Sequence, residues 1–364
     1  MNPARPTIAF IGPLPPPLHG MAAMNAHIVG LLGEQAEIEA MSVTSDRKLG
    51  KWRYHGAKAG RAVKAFAMLV AARRKGARVL YASADDRLGG IWTTGFLGAA
   101  RMLGYRIFLH HHSYIYVIAK TRVMAAMARV AGSNARHVVL CHEMEEAMAR
   151  LYPTMRHFLV CPNTVDAPAT ALPRTPGDVL RVGLLSNLTF EKGLAEFVAL
   201  IEWAIGQGLP VEGVLAGPIY GAEERAFVEQ KAAALGDRLR WLGFIEGEAK
   251  ERFFQDIGLF VFPTKYRTES FGLVLLEALV RGVPIAAPER GCICVFAPLE
   301  AAEVVPLDQD FTPRAQAMIE RLAAAPAERA RLSDLARDGG AQLNAAHAEA
   351  QRALIDAIIE AARA

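Results

Sequence analysis

Short, almost wholly apolar runs recur along this chain, separated by longer stretches rich in alanine, leucine and charged residues. The runs are 8–11, 79–81, 106–109, 138–141 and 159–160 in the first half, and 182–185, 211–215, 239–242, 259–262, 284–287 and 304–305 in the second. Consecutive apolar positions, rather than alternating ones, are typical of strands in a parallel sheet that is covered by helices on both faces. The sequence therefore predicts a doubly wound α/β fold.

The length and one proline-rich segment indicate two domains. A chain of 364 residues is long enough for two domains of ordinary size, and the segment 165–178 is rich in proline and poor in apolar runs, as linkers are. We expect a first Rossmann-like domain at 1–168, a second at 169–344, and a last helix at about 345–364 that packs back on the first. Ligands of doubly wound sheets bind beyond the carboxyl ends of the strands, so we expect the two domains to face a ligand-binding cleft.

The sequence also favours a cytoplasmic location. Its longest apolar run, within 271–280, is interrupted by Glu277 and falls short of the roughly 18 residues of a membrane-spanning helix. The first strand begins too early for a signal peptide to precede it, and the four cysteines are too scattered for a disulfide framework.

Charge is distributed unevenly between the two halves. Residues 1–170 hold 21 Lys/Arg and 10 Asp/Glu, a net charge of +11, whereas the remainder holds 20 and 27, a net charge of −7. Eleven of the basic residues lie in 47–78, which contains no acid. The apolar positions 59, 62, 63, 66, 69 and 70 of this segment form a helical stripe. An ordinary domain helix with a solvated basic face explains the pattern, as does a helix that binds an anionic membrane surface. No nucleic-acid motif accompanies it, so we expect no nucleic-acid partner.

Two glutamates, Glu269 and Glu277, flank an otherwise apolar stretch. We expect the strand 259–263 to lead through a loop into a helix at 271–281, which Gly282 closes. The N-terminus of that helix would face the ligand site, where free N–H groups favour an anion. The two carboxylates lie about 12 Å apart along a helix, a span similar to that between the sugar and the ribose of a nucleotide-diphosphate-sugar. A purely structural role for both is the alternative.

This stretch, with Pro263 before it and Pro284 after it, resembles the paired-glutamate signature of the retaining glycosyltransferases of family 4, the glycosyl transferases group 1, which have the GT-B fold. Further motifs extend the resemblance over residues 7 to about 305. Residues 13–20 are similar to the family's glycine-rich first loop, and residues 109–113 to its strand-end histidine. Residues 160–166 are similar to the segment before the hinge, and residues 185–193 to the phosphate-binding Lys-Gly loop.

The resemblance implies roles for individual residues. Lys192 would neutralise the diphosphate, Glu269 would orient the donor sugar, and His112 would contact that sugar. Glu277 would bind the ribose. Further donor contacts are implied at Gly20, Asn187, Ile245, Lys265, Arg267, Ser270, Phe271, Gly272 and Leu273. Asn187 stands where many members have an arginine, and Lys265 and Arg267 are the candidates to replace that cation.

Two patterns suggest metal binding, but we interpret both differently. His110 and His112 share one strand face and offer two nitrogens, yet no second ligand cluster accompanies them. We expect His110 and His111 to have packing roles. Asp308-Gln-Asp310 has the Asp-x-Asp form of a metal motif, but it lies in a polar loop before Pro313, where a turn and a helix cap are expected. We therefore predict no metal site and no cofactor.

The sequence thus predicts a retaining glycosyltransferase that uses a UDP- or GDP-sugar and modifies a lipid-linked or saccharide acceptor in the synthesis of surface polysaccharides or glycolipids. It would be cytoplasmic and peripheral on the inner face of the cell membrane. A nucleotide-sugar epimerase of the same fold and a catalytically silent nucleotide-sugar-binding module are the alternatives.

Overall fold

The computed structural model describes residues 5–16, 20–43, 51–86, 89–167 and 177–364, without the side chains of 51–59, 61 and 62. The first-loop residues 17–19, Arg47, Lys48 and most of the predicted linker lie outside this description. The chain divides into two compact units. We call Met1–Asn163 with His347–Ala364 the first unit, and Thr164–Ala346 the second unit.

Each unit contains one parallel six-stranded sheet. The strands of the first unit are β1 (Thr7–Gly12), β2 (Glu37–Ser42), β3 (Val79–Ala84), β4 (Arg106–His111), β5 (Arg136–Val139) and β6 (His157–Val160). Those of the second are β7 (Leu180–Leu185), β8 (Val211–Ala216), β9 (Leu239–Trp241), β10 (Leu259–Val261), β11 (Ile285–Pro288) and β12 (Ala302–Val305). The strand orders are β2-β1-β3-β4-β5-β6 and β12-β11-β10-β7-β8-β9. The predicted doubly wound α/β fold is confirmed.

The helices of the described residues connect these strands. They are α1 (Gly20–Gln35), α2 (Lys51–Arg74), α3 (Gly89–Met102), α4 (Ile115–Ile118), α5 (Arg122–Ala131), α6 (His142–Leu151), α7 (Leu194–Gly206), α8 (Ala222–Leu235), α9 (Gly247–Asp256), α10 (Leu273–Leu279), α11 (Phe311–Ala324) and α12 (Pro326–Arg363). Short 3-10 helices span Phe190–Lys192, Gly236–Arg238 and Gly291–Phe296. Within the described ranges, none of these helices has the length and apolar character of a membrane span.

The last helix, α12, contributes residues to both units. Its final turns supply Leu354, Ile355, Ile358 and Ile359 to the core of the first unit, where they pack with residues of β1 and β3. Burying one such side chain contributes about 1.5–3 kcal/mol, so the end of α12 is an integral part of that core.

All eleven predicted apolar runs overlap a strand, but the sequence did not predict β2. Among the described residues this strand pairs only with β1, at the edge of the first sheet, and it contains the exposed Glu37 and the half-buried Glu39. An edge strand with a partly exposed face has no need of consecutive apolar residues, so the criterion that found the other strands missed it.

Three predicted helix features can be compared with the structure. The helix expected at 271–281 is shorter, Leu273–Leu279, with Gly282 at φ 71° beyond its end. In α2, Ala65, Leu69 and Ala72 are buried, whereas Val63 and Phe66 of the predicted stripe are 71% and 50% exposed. The expected cap is confirmed, because Asp310 Oδ1 accepts a hydrogen bond from the Thr312 N–H, at 3.0 Å, at the start of α11.

Candidate functional site

The order in which the chain adds strands to the second sheet reverses between β7 and β10. From β7 it proceeds through β8 to the edge strand β9, and then crosses to β10, which pairs with the other side of β7. Open α/β sheets bind ligands beyond the carboxyl ends of the strands, at such a reversal point. The loop after β7 carries Lys192, and the loop after β10 carries Glu269.

The loop after β7 is fixed by its cap and by one glycine. Thr189 begins the 3-10 turn, and its side chain accepts a hydrogen bond from the Lys192 N–H at 3.2 Å. Gly193 follows in the left-handed region, at φ 87°. A Cβ at this position would lie 2.2 Å from the carbonyl oxygen of Pro263, so only glycine allows the two loops to approach this closely.

Lys192 and Glu269 form an ion pair between these two loops. Lys192 Nζ lies 2.5 Å from Glu269 Oε2, and the two side chains are 24% and 12% exposed. The ammonium also lies 4.7 Å from the ring centroid of Tyr266 and 5.6 Å from that of Phe262. Aromatic faces attract a cation, and partial burial reduces the screening of charge by water. The structure thus brings together two residues that are separated by 77 positions and were predicted to act on the same ligand.

The segment that follows Glu269 packs against the 3-10 helix Gly291–Phe296. A Cβ at Gly291 would lie 2.1 Å from the Glu269 carbonyl oxygen, and the N–H of Cys292 donates to the Ser270 carbonyl at 2.8 Å. Phe271 is buried, and its ring packs edge-on to that of Phe296. The side chain of Phe271 therefore belongs to the core, and only the backbone of this residue remains a candidate for ligand contact.

Gly272 turns the chain into α10, and the half-buried Leu273 is its first residue. Gly272 adopts φ 68°, ψ 52°, a conformation that glycine tolerates better than other residues. Because α10 has only seven residues, the helix dipole that the sequence suggested for binding a diphosphate is small. The charge of Lys192 is consequently the stronger attraction for an anion at this edge.

Glu277, on α10, also pairs with a lysine. Lys250 Nζ, on α9, lies 2.7 Å from Glu277 Oε1, and the side chains are 28% and 18% exposed. The sequence did not predict a role for Lys250. Only the order of elements could have indicated such a role. Because α9 begins just after β9, its first turns, which include Lys250, lie near the carboxyl edge of the sheet.

The remaining predicted donor contacts of the second unit differ in their surroundings. Lys265 Nζ pairs with Glu196 Oε1 at 2.6 Å, and its N–H donates to the Glu191 carbonyl at 2.9 Å. Arg267 and Asn187 are exposed, and Ile245 is half-buried in the loop between β9 and α9. The sequence did not predict a role for Glu196. This residue pairs with the Lys265 ammonium, one of the two cations that were expected to replace the missing arginine.

The first unit holds the predicted residues His112 and Gly20. Gly20 is exposed at the start of α1, and His112 follows β4 with 7% of its surface exposed and its ring centroid 4.0 Å from that of His110. His110 Nδ1 lies 2.7 Å from the Tyr81 hydroxyl. The expected packing role of His110 therefore agrees with its burial and its partner.

A second pair of histidines lies buried behind this cluster. His111 Nε2 is 3.0 Å from His137 Nδ1, and His111 Nδ1 is 3.2 Å from the Tyr116 hydroxyl. Burial lowers the pKa of His137 to about 4, with a smaller contribution from the charge of His157. Burial also lowers the pKa of His111 well below its usual value, helped by the charges of His137 and His112. Both rings are therefore neutral at physiological pH.

Part of the second unit is similar to a known protein family. Residues 173–306 match the family described as Glycosyl transferases group 1. D-rhamnosyltransferase WbpZ of Pseudomonas aeruginosa is 37% identical over 93 residues. This matching stretch covers 25% of this chain and only 23% of the relative.

Solved structures share the fold over nearly the whole chain. Sucrose-phosphate synthase from Thermosynechococcus elongatus has a TM-score of 0.70 at 18% identity, covering 97% of this chain and 100% of that chain. Alr3699/HepE of Anabaena, in complex with UDP and glucose, has a TM-score of 0.67 at 15% identity, covering 94% and 98%. At these identities the likeness shows the fold, which is that of GT-B glycosyltransferases.

Proposed function

We propose that this chain, whose residues 173–306 match the family described as Glycosyl transferases group 1, is a retaining glycosyltransferase. It would move a sugar from a nucleotide-diphosphate-sugar to a lipid-linked or saccharide acceptor. The observation that carries the proposal is the Lys192–Glu269 pair between the loops after β7 and β10, at the carboxyl edge of the second sheet. The names of the similar proteins support a sugar nucleotide, since one is a rhamnosyltransferase and another binds UDP and glucose.

In the proposed reaction, Lys192 stabilises the leaving group. Breaking the bond between the sugar and the diphosphate places negative charge on the phosphate oxygen. A cation that is already in position stabilises that charge at no cost in reorganisation. The partial burial of Lys192 and its contacts with Tyr266 and Phe262 support this role, because they hold the ammonium in one place.

Glu269 would orient the donor sugar through its hydroxyl groups. An ionised carboxylate only accepts hydrogen bonds, and sugar hydroxyls are suitable donors. Lys192 Nζ donates a hydrogen bond to this carboxylate. When the donor binds, the ammonium of Lys192 would also interact with the diphosphate. The sugar hydroxyls would then donate hydrogen bonds to the Glu269 carboxylate.

Retention of the sugar's stereochemistry has two possible routes. The acceptor can attack from the face that the diphosphate leaves, with the leaving phosphate taking the acceptor proton. Alternatively, a carboxylate can form a covalent intermediate in a double displacement. The ion pair with Lys192 reduces the nucleophilicity of Glu269, which favours the first route. We assign His112 to contact with the donor sugar rather than to covalent chemistry.

No divalent metal enters the proposed mechanism, because Lys192 supplies the positive charge that a metal would otherwise provide. Asp310 is engaged in capping α11, which leaves it a structural role. Turnover should therefore persist in EDTA. A strict requirement for Mg²⁺ or Mn²⁺ would contradict this part of the proposal.

We further propose that α2 brings the enzyme to an anionic membrane that carries its acceptor. Its 24 residues span about 36 Å, whereas the six-residue strand β3 spans about 20 Å. Its last turn is anchored by Arg73, whose Nε donates to the Leu103 carbonyl at 2.9 Å. The excess length therefore lies at its basic N-terminal end. The exposed Val63 and Phe66 give this helix apolar groups that could enter a lipid surface.

The second candidate is a binding module without catalytic activity. It is favoured by the exposed Asn187, which stands where many members of the family that the sequence resembles have an arginine, and by the ion pair of Lys265 with Glu196. Such a module would bind nucleotide-sugars without turnover. A non-hydrolysing epimerase of the same fold would change the sugar's configuration without net release of nucleotide.

Incubation with a panel of UDP-, GDP- and ADP-sugars tests these proposals. We expect one donor to raise the melting temperature and to release free nucleotide, slowly with water and faster with the acceptor. Glu269→Gln should retain the thermal shift and lose most of the release. NMR of the product should show the anomeric configuration of the donor. Binding without release in the presence of lipid-linked and saccharide acceptors would instead support the binding module.

A further inference from the structure

Glu277 is a carboxylate in a mostly buried position. Its neighbours Leu276 and Ala278 on α10 are buried, and its own side chain is 18% exposed. A carboxylate that has lost most of its water requires hydrogen-bond donors or a counter-charge. Lys250 Nζ, at 2.7 Å from Glu277 Oε1, provides both.

The residue next to Lys250 fixes the two helices together. Glu251 accepts two hydrogen bonds from Arg281, from Nε at 2.8 Å and from Nη2 at 2.5 Å. Arg281 lies one turn after Glu277 on the chain and donates from Nη1 to the Glu277 carbonyl at 3.1 Å. Its guanidinium also lies 5.3 Å from the ring centroid of Phe254. The hydrogen bonds of Arg281 therefore hold α9 against the segment that follows α10 without Lys250. The ammonium of Lys250 acts on the Glu277 carboxylate itself.

A single lysine on one carboxylate oxygen has a directional effect. A carboxylate offers about four lone-pair positions, of which Lys250 uses one at Oε1. The bond fixes the rotation of the carboxylate, so that the remaining positions point in constant directions. A ribose presents two adjacent hydroxyls, and a fixed carboxylate can accept hydrogen bonds from both.

From this geometry we infer that Lys250 is a positioning residue that orients Glu277 toward the ribose hydroxyls of the nucleotide donor. The inference rests on the proposed function, since Glu277 meets a ribose only if a nucleotide-sugar binds. It assigns to Lys250 an effect on donor binding rather than on the chemical step, because ribose contacts are equal in the ground state and in the transition state.

The test compares two nucleotides and four proteins. Lys250→Met removes the ammonium and keeps most of the side-chain volume, and Lys250→Arg keeps the charge. Lys231→Met is the matched control, because Lys231 Nζ also lies 2.7 Å from a glutamate, Glu202, and is 29% exposed against 28% for Lys250. Calorimetry gives the Kd of UDP or GDP, whichever the wild type binds, and of its 2′-deoxy counterpart. Kinetics give kcat and the donor KM.

We expect Lys250→Met to weaken binding of the ribonucleotide about threefold to tenfold, and to raise the donor KM by a similar factor with kcat unchanged. Binding of the 2′-deoxynucleotide should change less than twofold, about the precision of the measurement. Lys250→Arg should retain most of the affinity, and Lys231→Met should match the wild type.

Equal losses for both nucleotides, or no loss for either, would overturn the inference. A wild type that does not distinguish the two nucleotides would also overturn it, because Glu277 would then not meet the 2′-hydroxyl. A wild type that binds no nucleotide at all would refute the proposed function first. The two failures are therefore distinguishable.

Discussion

Gly193 lies against the backbone carbonyl of Pro263, and a Cβ at position 193 would come within 2.2 Å of that oxygen. This contact joins the loop after β7 to the loop after β10, which carry Lys192 and Glu269. The distance between the two charged groups therefore depends on a position that has no side chain.

Substituting alanine at this position should lower both stability and activity. Gly193→Ala would force a left-handed conformation, at about 1–2 kcal/mol, and would also displace Pro263. Gly208→Ala is the control, because Gly208 has φ +74° and nothing within 4 Å of the added Cβ. We expect it to show only the conformational cost and to keep its activity. Melting temperature and nucleotide release measure the two effects, and equal behaviour of the two variants would contradict the argument.

The Lys192–Glu269 pair should matter more for turnover than for folding. We expect Lys192→Ala and Glu269→Gln to lower turnover at least about tenfold, equivalent to roughly 1.4 kcal/mol of transition-state stabilisation. Circular dichroism should show folded proteins, because partly exposed ion pairs contribute little to stability. Glu277→Ala should mainly raise the donor KM. If Lys192→Ala and Glu269→Gln keep wild-type rates, the assignment of the donor site is wrong.

The sequence predicted the strands well because most of them are buried on both faces and so are apolar at consecutive positions. It missed β2, whose partly exposed Glu37 and Glu39 follow no such rule. It predicted the loops that carry Lys192 and Glu269, since short motifs follow directly after predicted strands. It did not predict that the two residues touch, because that depends on which strands are neighbours in the sheet.

Ion-pair partners were the least predictable part of the site. Lys250 and Glu277 are 27 positions apart on different helices, and Glu196 and Lys265 are on a helix and a loop. No periodicity links such pairs, since long side chains meet according to the packing of the elements that carry them. The sequence therefore predicted Lys265 as a spare cation, whereas the structure pairs it with Glu196.

The buried histidines should make stability depend on pH. Burial lowers the pKa of His137 to about 4, whereas the unfolded chain takes up this proton near pH 6.5. Between these values the unfolded state binds more protons, so stability falls as the pH falls, by at most about 1.4 kcal/mol per pH unit for this residue. The lowered pKa values of His110 and His111 act in the same direction.

Melting curves between about pH 7 and pH 4.5 measure this dependence, since they cover most of the interval between the two pKa values. His137→Gln should have a shallower dependence than the wild type, although it will be less stable at neutral pH. His142→Gln is the control, because the His142 side chain is 80% exposed. Parallel curves for the wild type and His137→Gln would show that His137 does not remain neutral in the folded protein.

The membrane prediction depends on both the charge and the exposed apolar groups of α2. Val63 and Phe66 lie on the flank of the helix roughly 100–160° round from its buried residue Ala65. An exposed phenylalanine on a helix rich in lysine and arginine suits binding to an anionic lipid surface. Each cation near an anionic headgroup contributes about 1 kcal/mol, and the apolar groups add the part of the attraction that salt does not screen.

Co-sedimentation with liposomes separates these two contributions. We expect the wild type to bind vesicles that contain anionic lipid, and to bind less as salt is raised. Charge reversal at Lys51, Arg53 and Lys58 should abolish the salt-sensitive part, whereas Phe66→Ser should weaken binding at every salt concentration. Reversal of three exposed arginines elsewhere in the first unit, Arg122, Arg150 and Arg156, provides a control with the same change of net charge. If that control loses binding equally, the attraction is one of overall charge. If the wild type stays in the supernatant at low salt with both anionic and neutral vesicles, α2 is not a membrane-binding helix and a soluble acceptor is the better hypothesis.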